Sequence, residues 1–265
     1  MFVLVEVEDR VATVTLNRPE ARNAISGELH RQLDTAVKEL DRREDVGCVV
    51  LTGADPAFCA GMDLKSLATE QRSVQQERQR KPVREDQMLP VHQVPIIGAI
   101  NGPTVTGGLE LAMCCDFLIA SERASFADTH ARVGVMPGGG MTIRLPQLVG
   151  IDRARRMSFT GDFIDAATAC AWGLVVEVVP HESLLGRARE LAATVASIPS
   201  EYVRELRHGY AEMQALSGDA ALAAENAWSR GWMAQRFDQS RLAAEREGIL
   251  ARGREQSAGP GGAPA

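Results

Sequence analysis

Residues Pro95–Ala120 read PIIGAINGPTVTGGLELAMCCDFLIA, and their order decides the fold. Pro95 to Ile100 is a short, wholly apolar run, which at this length reads as a buried strand. Asn101-Gly102 through Thr106-Gly107-Gly108 is a glycine-bearing turn, and Leu109 to Cys115 is short enough to be a buried helix. Asp116 to Ala120 returns to strand. An earlier pass has the same rhythm: Cys48-Val49-Val50-Leu51 is a buried strand, followed by the turn Phe58-Cys59-Ala60-Gly61-Met62-Asp63-Leu64. The two passes share rhythm, not residues. Strands alternating with helices in this way predict an α/β layer architecture in which helices cover a sheet.

On the N-terminal side, Phe2–Glu8 and Val11–Leu16 alternate apolar and polar residues around Asp9-Arg10, the pattern of a hairpin with one buried face. Ser26 caps a helix whose Leu29, Leu33, Ala36, Val37 and Leu40 recur at helical spacing. The polar stretch Thr69–Gln87 reads as an exposed helix or a loop, and Pro82 breaks any single helix there. Beyond Ile151 helix dominates, apart from Leu174–Val179. Asp165 caps a helix that Gly173 ends, and Ser183–Ile198, Ser200–Gln214 and Ala220–Gln235 are amphipathic. The last dozen residues, ending in the Gly/Pro-rich run Gly259–Ala265, cannot build a core and are expected to be disordered.

The 265 residues carry 35 acidic against 29 basic side chains, a net charge of −6, with 45% apolar and 24% charged residues. Those values fit a globular domain and exclude a collagen-like or disordered chain. Mild acidity without a long basic run argues against a nucleic-acid groove. No apolar stretch reaches the roughly 18 residues that span a bilayer, so no membrane contact is expected. The five cysteines are odd in number, lie mostly in apolar runs and form no Cys-x-x-Cys, so no metal site is expected. Met1–Val5 runs straight into Glu6, Glu8 and Asp9 rather than forming a secretory leader. Reduced thiols in a soluble, cytoplasmic protein are the expectation.

Two glycine turns, each where a buried strand hands over to a helix, are where chemistry could live. First-turn N–H groups of a helix lack internal partners and carry the positive end of its dipole. Two such turns side by side would aim two N–H groups at one oxygen, an oxyanion hole; alternatively the glycines only make tight turns. No Gly-Lys-Ser/Thr follows either turn, and no clear strand precedes Gly138-Gly139-Gly140, so a phosphate loop or dinucleotide site is not expected. Glu110, set between Leu109 and Leu111, is the odd charge in an apolar run. Desolvation raises the pKa of a lone carboxylate toward the range a general base needs; a salt bridge or a surface position would also accommodate Glu110. Cys59 reads as a small filler rather than a nucleophile, and Asp116 as a partner of nearby backbone. Trp228 and Trp232 read as helix or subunit packing. Met113, Met136 and Met141 read as core or acyl-pocket lining, and His30, His92, His181 and His208 as lying in exposed helix or loop.

Several of these segments together resemble one family. Asn17-Arg18-Pro19 through Asn23-Ala24-Ile25-Ser26 resembles the N-terminal signature of the crotonase (enoyl-CoA hydratase/isomerase) family. Phe58–Leu64 is similar to that family's first oxyanion turn, and Asn101-Gly102 through Gly107-Gly108-Leu109-Glu110-Leu111-Ala112, then Cys115-Asp116, to its second. Phe159-Thr160-Gly161-Asp162, Ala171-Trp172-Gly173-Leu174-Val175 and Val179-Pro180 match later landmarks in the same order. The resemblance spans Val3 to Arg254.

It implies an α/β, crotonase-like spiral of ββα units over 1–198, a helical C-terminal trimerisation region over 199–252, a tail over 253–265, and a homotrimer or dimer of trimers. It implies an acyl-CoA thioester as ligand and no separate cofactor, coenzyme A being part of the substrate. The N–H groups of Met62 and Gly107 would hold the thioester oxygen. Ala60, Asp63, Leu64 and Lys65 would lie along the CoA path, and Arg22 with Ala24 near its nucleotide end. Hydratases of the family flank a water with two glutamates. Glu110 matches the first, but counting back from Gly134-Val135-Met136-Pro137-Gly138, His130 stands where the second is expected. An imidazole can donate or accept near neutral pH, so His130 is either a second proton carrier or a hydrogen-bonded pocket residue. Asp128, two residues earlier on what reads as a strand, is a weaker substitute. Reversible hydration of a 2-enoyl-CoA is the leading expectation. A single-carboxylate enoyl-CoA isomerase and a non-catalytic acyl-CoA-binding homologue remain open.

Overall fold

The computed structural model describes residues 1–63 and 88–236 together with 240, 244 and 248. Leu64, Lys65, the stretch Thr69–Gln87 and the tail lie outside the described residues. Two compact units, Met1–Arg207 and the chain from His208 onward, are described separately.

In the first unit, β1 (Val3–Glu8) and β2 (Val11–Leu16) pair antiparallel, Val3 opposite Leu16 and Glu8 opposite Val11. Asp9 and Arg10 both take left-handed backbone, at φ 45° and 66°, as a two-residue hairpin requires. The Ser26 hydroxyl accepts the Leu29 N–H at the start of α1 (Gly27–Asp41), whose five apolar positions are all buried. There follow β3 (Cys48–Gly53), β4 (Ile96–Ile100), β5 (Thr104–Val105), α2 (Gly107–Ala112), β6 (Phe117–Ser121) and β7 (Ser125–Ala127). Next come α3 (His130–Val133), α4 (Met141–Val149), α5 (Ile151–Thr160), β8 (Ile164–Asp165), α6 (Ala166–Trp172), β9 (Glu177–Val179), α7 (Leu184–Ala196) and α8 (Ser200–Met213). The main sheet has the order β1-β2-β3-β4-β6-β9 and is parallel beyond the hairpin; β5, β7 and β8 form a small second sheet.

The apolar strand runs are explained by burial on both faces. Val49, Leu51, Ile96, Ile100, Leu118 and Ala120 face the large core with α1 and α2. Their neighbours Cys48, Val50, Ile97, Ala99 and Ile119 face the other way, against Leu184, Ala188, Ala192 and Ala196 of α7. That alanine stripe lets α7 lie close: a Cβ on Gly47 would meet Ala196 at 2.8 Å. Asp165 caps α6 through the Thr168 N–H, and Gly173 ends it in left-handed backbone. The strand expected over Leu174–Val179 is shorter, because the Leu174 N–H turns back to the Ala169 carbonyl before Val176 reaches β6.

In the second unit, which takes in the end of α8 from His208, α9 (Gly218–Gln235) carries Trp228, whose ring lies so close to Gly209 that a Cβ there would be 2.9 Å from it. Trp228 is thus a packing residue between helices.

Candidate active site

Short parallel bridges stitch the two glycine turns together. Ile25 bridges Met62, and Cys59 bridges Thr104. The Ala60 N–H donates to the Arg22 carbonyl, the Ile25 N–H to Gly61 and the Asp63 N–H to Ile25. Successive N–H groups of an extended chain alternate in direction, so the Met62 N–H turns away from Ile25, toward α2. Gly107 opens α2, so its N–H has no partner in the helix. A Cβ built on Gly107 would lie 3.5 Å from the Met62 nitrogen, and one on Gly61 would lie 3.5 Å from the Gly107 nitrogen. The two amides therefore border one small space, and neither donates to any described residue. Gly61, at φ 93°, could not carry a side chain without meeting the Val105 carbonyl at 2.9 Å.

Within the first turn of α2, Glu110 is buried. Its Oε1 accepts the Gly139 N–H at 2.8 Å and the Met141 N–H at 3.2 Å. A Cβ on Gly139 would come within 2.8 Å of Met88 Cγ and 2.9 Å of Glu110 Cδ and Oε2, so glycine lets this loop close over the carboxylate without displacing it. Gly139, inside the glycine cluster 138–140, thus clamps Glu110 together with Met141. Oε2 is left facing Nε2 of His130 at 3.9 Å. His130, also buried, opens α3 and sets Nδ1 2.6 Å from Asp128 Oδ1. Asp128 Oδ2 accepts the Ser158 hydroxyl of α5 at 2.6 Å. Burial pushes the Asp128 pKa up, but hydrogen bonds from the His130 ring, from Ser158 and from the His130 N–H outweigh it and hold the carboxyl below its ordinary value. Asp128 does not share a strand face with His130: β7 ends at Ala127, and the carboxylate turns onto the His130 ring rather than alongside it.

Of the expected coenzyme A contacts, the described ones, Arg22, Ala24, Ala60 and Asp63, lie in the bridged segments. Arg22 is exposed in left-handed backbone, at φ 50°, and Ala24 and Ala60 are half-buried beside it. The Asp63 carboxylate is taken by Arg18 at 2.6 Å, and Arg18 also donates to the Ala24 carbonyl. Buried Asn23 ties the segment down through the Ala54 and Ala57 carbonyls. The Cys59 thiol is pushed by burial to about 12 and donates to the Asn23 carbonyl, which fits a filler. All five cysteines are free thiols. Asp116 accepts the Ile96 N–H, as expected. Met113 and Met141 lie in the core and Met136 is exposed. His92 departs from expectation: it is buried, with Nδ1 on the Pro90 carbonyl and Nε2 accepting from Arg207. His181 bridges Ser121 and Asp55. Among the described residues no helix is long and apolar enough to cross a membrane.

A sequence model of the family described as "Enoyl-CoA hydratase/isomerase" matches residues 6–247. A probable enoyl-CoA hydratase of Mycobacterium tuberculosis is 37% identical over 202 residues, 76% of this chain and 78% of that one. The mitochondrial enoyl-CoA hydratase of Pongo abelii is 40% identical over 187 residues, 71% and 64% of the two chains. The crystal structure of enoyl-CoA hydratase from Mycobacterium smegmatis, 48% identical, superposes with a TM-score of 0.73 over 88% of this chain and 98% of that one. That of enoyl-CoA hydratase from Bacillus anthracis, 32% identical, does so with a TM-score of 0.82 over 93% and 96%.

Proposed function

The chain belongs to the enoyl-CoA hydratase/isomerase family, and from that premise we propose that it adds water reversibly across the double bond of a 2-enoyl-CoA thioester. The observation that carries this reading is the clamped Glu110, whose free oxygen lies 3.9 Å from His130 Nε2 within a turn of the paired Met62 and Gly107 amides. A water about 2.8 Å from both atoms would subtend roughly 90° between them, so one water can be held by the pair.

In the forward direction Glu110 Oε2 takes a proton from that water as its oxygen bonds to Cβ. The π electrons move onto the thioester oxygen, where the Met62 and Gly107 N–H groups receive the charge, each such donor contributing about 3 kcal/mol. The charge returns as the protonated His130 ring delivers its Nε2 proton to Cα, and the proton left on Glu110 then passes through an incoming water to Nε2, 3.9 Å away, restoring both groups. Reversal runs the same steps backward. Coenzyme A arrives as part of the substrate, so no separate cofactor is called for. Its path runs along Ala60, Asp63, Leu64 and Lys65, with Arg22 and Ala24 toward the nucleotide. Residues 1–198 form the catalytic core, and 199–252, with exposed Leu222 and Met233 on α9, mediate assembly into a homotrimer or a dimer of trimers. Free thiols support a cytoplasmic setting, although the names of relatives include peroxisomal and mitochondrial forms.

The test is loss of enoyl absorbance with a short-chain 2-enoyl-CoA. Glu110→Gln keeps an oxygen for the Gly139 and Met141 N–H groups but cannot take a proton, so turnover should fall by about 10²–10⁴. Wild-type turnover no greater than that of the variant overturns the proposal. Conversion of a 3-enoyl-CoA to its 2-enoyl isomer, without hydration, would point to isomerase chemistry instead.

A further inference from the structure

We infer that Asp128 is a positioning residue for this reaction: with Ser158 it holds His130 as the Nδ1–H tautomer, so that the exchangeable proton sits on Nε2, the atom facing Glu110. The inference rests on the hydratase reading for its catalytic consequence, but the tautomer itself does not.

Asp128 is 1% exposed and receives three donors: the His130 ring at 2.6 Å, the His130 N–H at 3.2 Å and the Ser158 hydroxyl at 2.6 Å. An ionised carboxylate only accepts, so with Asp128 ionised the hydrogen between it and the ring belongs to Nδ1. The 2.6 Å separation is that of a charge-assisted bond. A neutral His130 then presents a lone pair at Nε2, and a protonated one presents Nε2–H. When Nε2–H gives its proton to Cα, the bonding pair returns to Nε2 while Nδ1–H stays on Asp128. In the opposite tautomer Nε2–H would be fixed on the neutral ring, and no lone pair would face the site to be recharged. The negative charge behind the ring also stabilises the imidazolium that the step consumes.

Among the described residues, the other groups around the ring do not offer an alternative partner. From α2 the facing charge is Glu110, and from α5 the facing group is the Ser158 hydroxyl. Arg132 of α3 points outward to the Thr160 carbonyl and Asp162. The Thr106 and Thr129 hydroxyls bond each other. The Gly139 and Met141 amides of the α4 side are spent on Glu110 Oε1. Capping α3 would need only the Asp128–His130 N–H bond. The Ser158 bond adds nothing to that cap, but it does fix the carboxylate plane against the ring.

Asp128→Asn is nearly isosteric and replaces an obligate acceptor with a group that can donate to Nδ1. Long-range ¹⁵N–¹H correlation spectra, with the His130 signal assigned by its loss in His130→Gln, should show neutral His130 as Nδ1–H in the wild type and Nε2–H in the variant. Hydration kcat should fall about 100-fold, with KM within about threefold. The alkaline limb of the kcat profile should move to lower pH. Asp128→Glu, which restores the charge, should recover part of the rate. An Nε2–H ring in the wild type overturns the inference even if the variant does not fold. So does a folded Asp128→Asn that keeps the wild-type tautomer, or one whose kcat stays within threefold on an unshifted pH profile. An inactive wild type whose Nδ1–H tautomer is reversed by Asp128→Asn would sink the hydratase reading and leave the positioning role standing.

Discussion

Replacing Gly108 by alanine tests whether the close approach of α2 to the first glycine turn sets the oxyanion geometry. A Cβ on Gly108 would lie 2.2 Å from the Cys59 carbonyl oxygen, 2.8 Å from its carbon and 2.9 Å from its Cβ. Two of those atoms are backbone and cannot rotate aside. Cβ atoms essentially never come closer than 3.0 Å, so α2 and the 58–62 turn must part by about 0.8 Å for the oxygen contact alone. Gly107 and Met62, the two proposed oxyanion donors, sit one and three residues from the clashing pair, so the displacement falls on the space between them. A misplacement of about 1 Å at a reacting centre lowers rate roughly 100-fold. Overpacking of this kind also destabilises by about 1–3 kcal/mol. The assay is kcat for 2-enoyl-CoA hydration, well below the Tm of the variant, with thermal unfolding followed in parallel. Gly98→Ala supplies the control. Its Cβ would meet Leu118 Cδ2 at 2.4 Å and Cys115 Sγ at 3.3 Å, side-chain atoms rather than the backbone of either turn. It should lose stability while keeping kcat within about threefold. A folded Gly108→Ala with near-wild-type kcat refutes the reasoning, as does a Gly98→Ala that loses as much activity.

Two further outcomes concern stability. Asn23 is fully buried at φ 56°, donates to the Ala54 and Ala57 carbonyls and accepts the Arg18 N–H, so Asn23→Ala strands three backbone groups in left-handed backbone that alanine disfavours. Urea denaturation should show a loss of about 3 kcal/mol or more, and a loss under about 1 kcal/mol would contradict it. His92 has its pKa held below the ordinary value by burial and then by the Arg207 charge, with the Pro90 carbonyl, Asp116 and Asp41 pulling the other way. The unfolded chain therefore takes the proton first: this contribution is complete above about pH 6.5 and declines as pH falls below it, by no more than about 1.4 kcal/mol per pH unit. Thermal melts between pH 7.5 and 5 should be flatter for His92→Gln than for the wild type, and parallel curves would rule the effect out.

The strands, their two-sided burial and the helix caps were legible because period-2 and period-3.6 patterns, Ser26, Asp165 and Gly173 are local signals. The pairing of the two glycine turns was legible only as a possibility. The bridges that enforce it, Ile25 to Met62 and Cys59 to Thr104, join residues far apart in sequence and leave no periodic trace. Glu110 stood out as a charge in an apolar run. Its clamp did not, because the donors are backbone N–H groups of Gly139 and Met141, and a main-chain amide has no letter in the sequence. The glycine run after Pro137 is the available signal, and by itself it says only that no phosphate loop or dinucleotide site lies there. The burial of His92 has no local signal either: its ring accepts from Arg207, 115 residues away. Ser158 carries no signal at all: nothing in Met157-Ser158-Phe159 marks a hydroxyl that will reach a carboxylate on another element.

The departure at position 130 changes meaning once Asp128 is included. Two buried carboxylates facing one water would carry two negative charges when both are ionised. Here Glu110 and Asp128 supply the same two, but one has moved back a step and acts through an intervening imidazole. With His130 neutral the cluster carries the charge of a carboxylate pair, and with His130 protonated it carries one less. A buried charge is tolerated only when partnered, and each member has a partner: Glu110 the Gly139 and Met141 amides, Asp128 the ring and Ser158, and His130 a carboxylate toward Nδ1 and another 3.9 Å from Nε2. A histidine installed alone at this place, with an apolar residue at 128, would remove a charge and leave the tautomer unspecified. The pair at 128 and 130 therefore reads as a substitution for the second carboxylate rather than its loss, which is why removing the Asp128 charge should damage turnover although Asp128 acts only through the His130 ring.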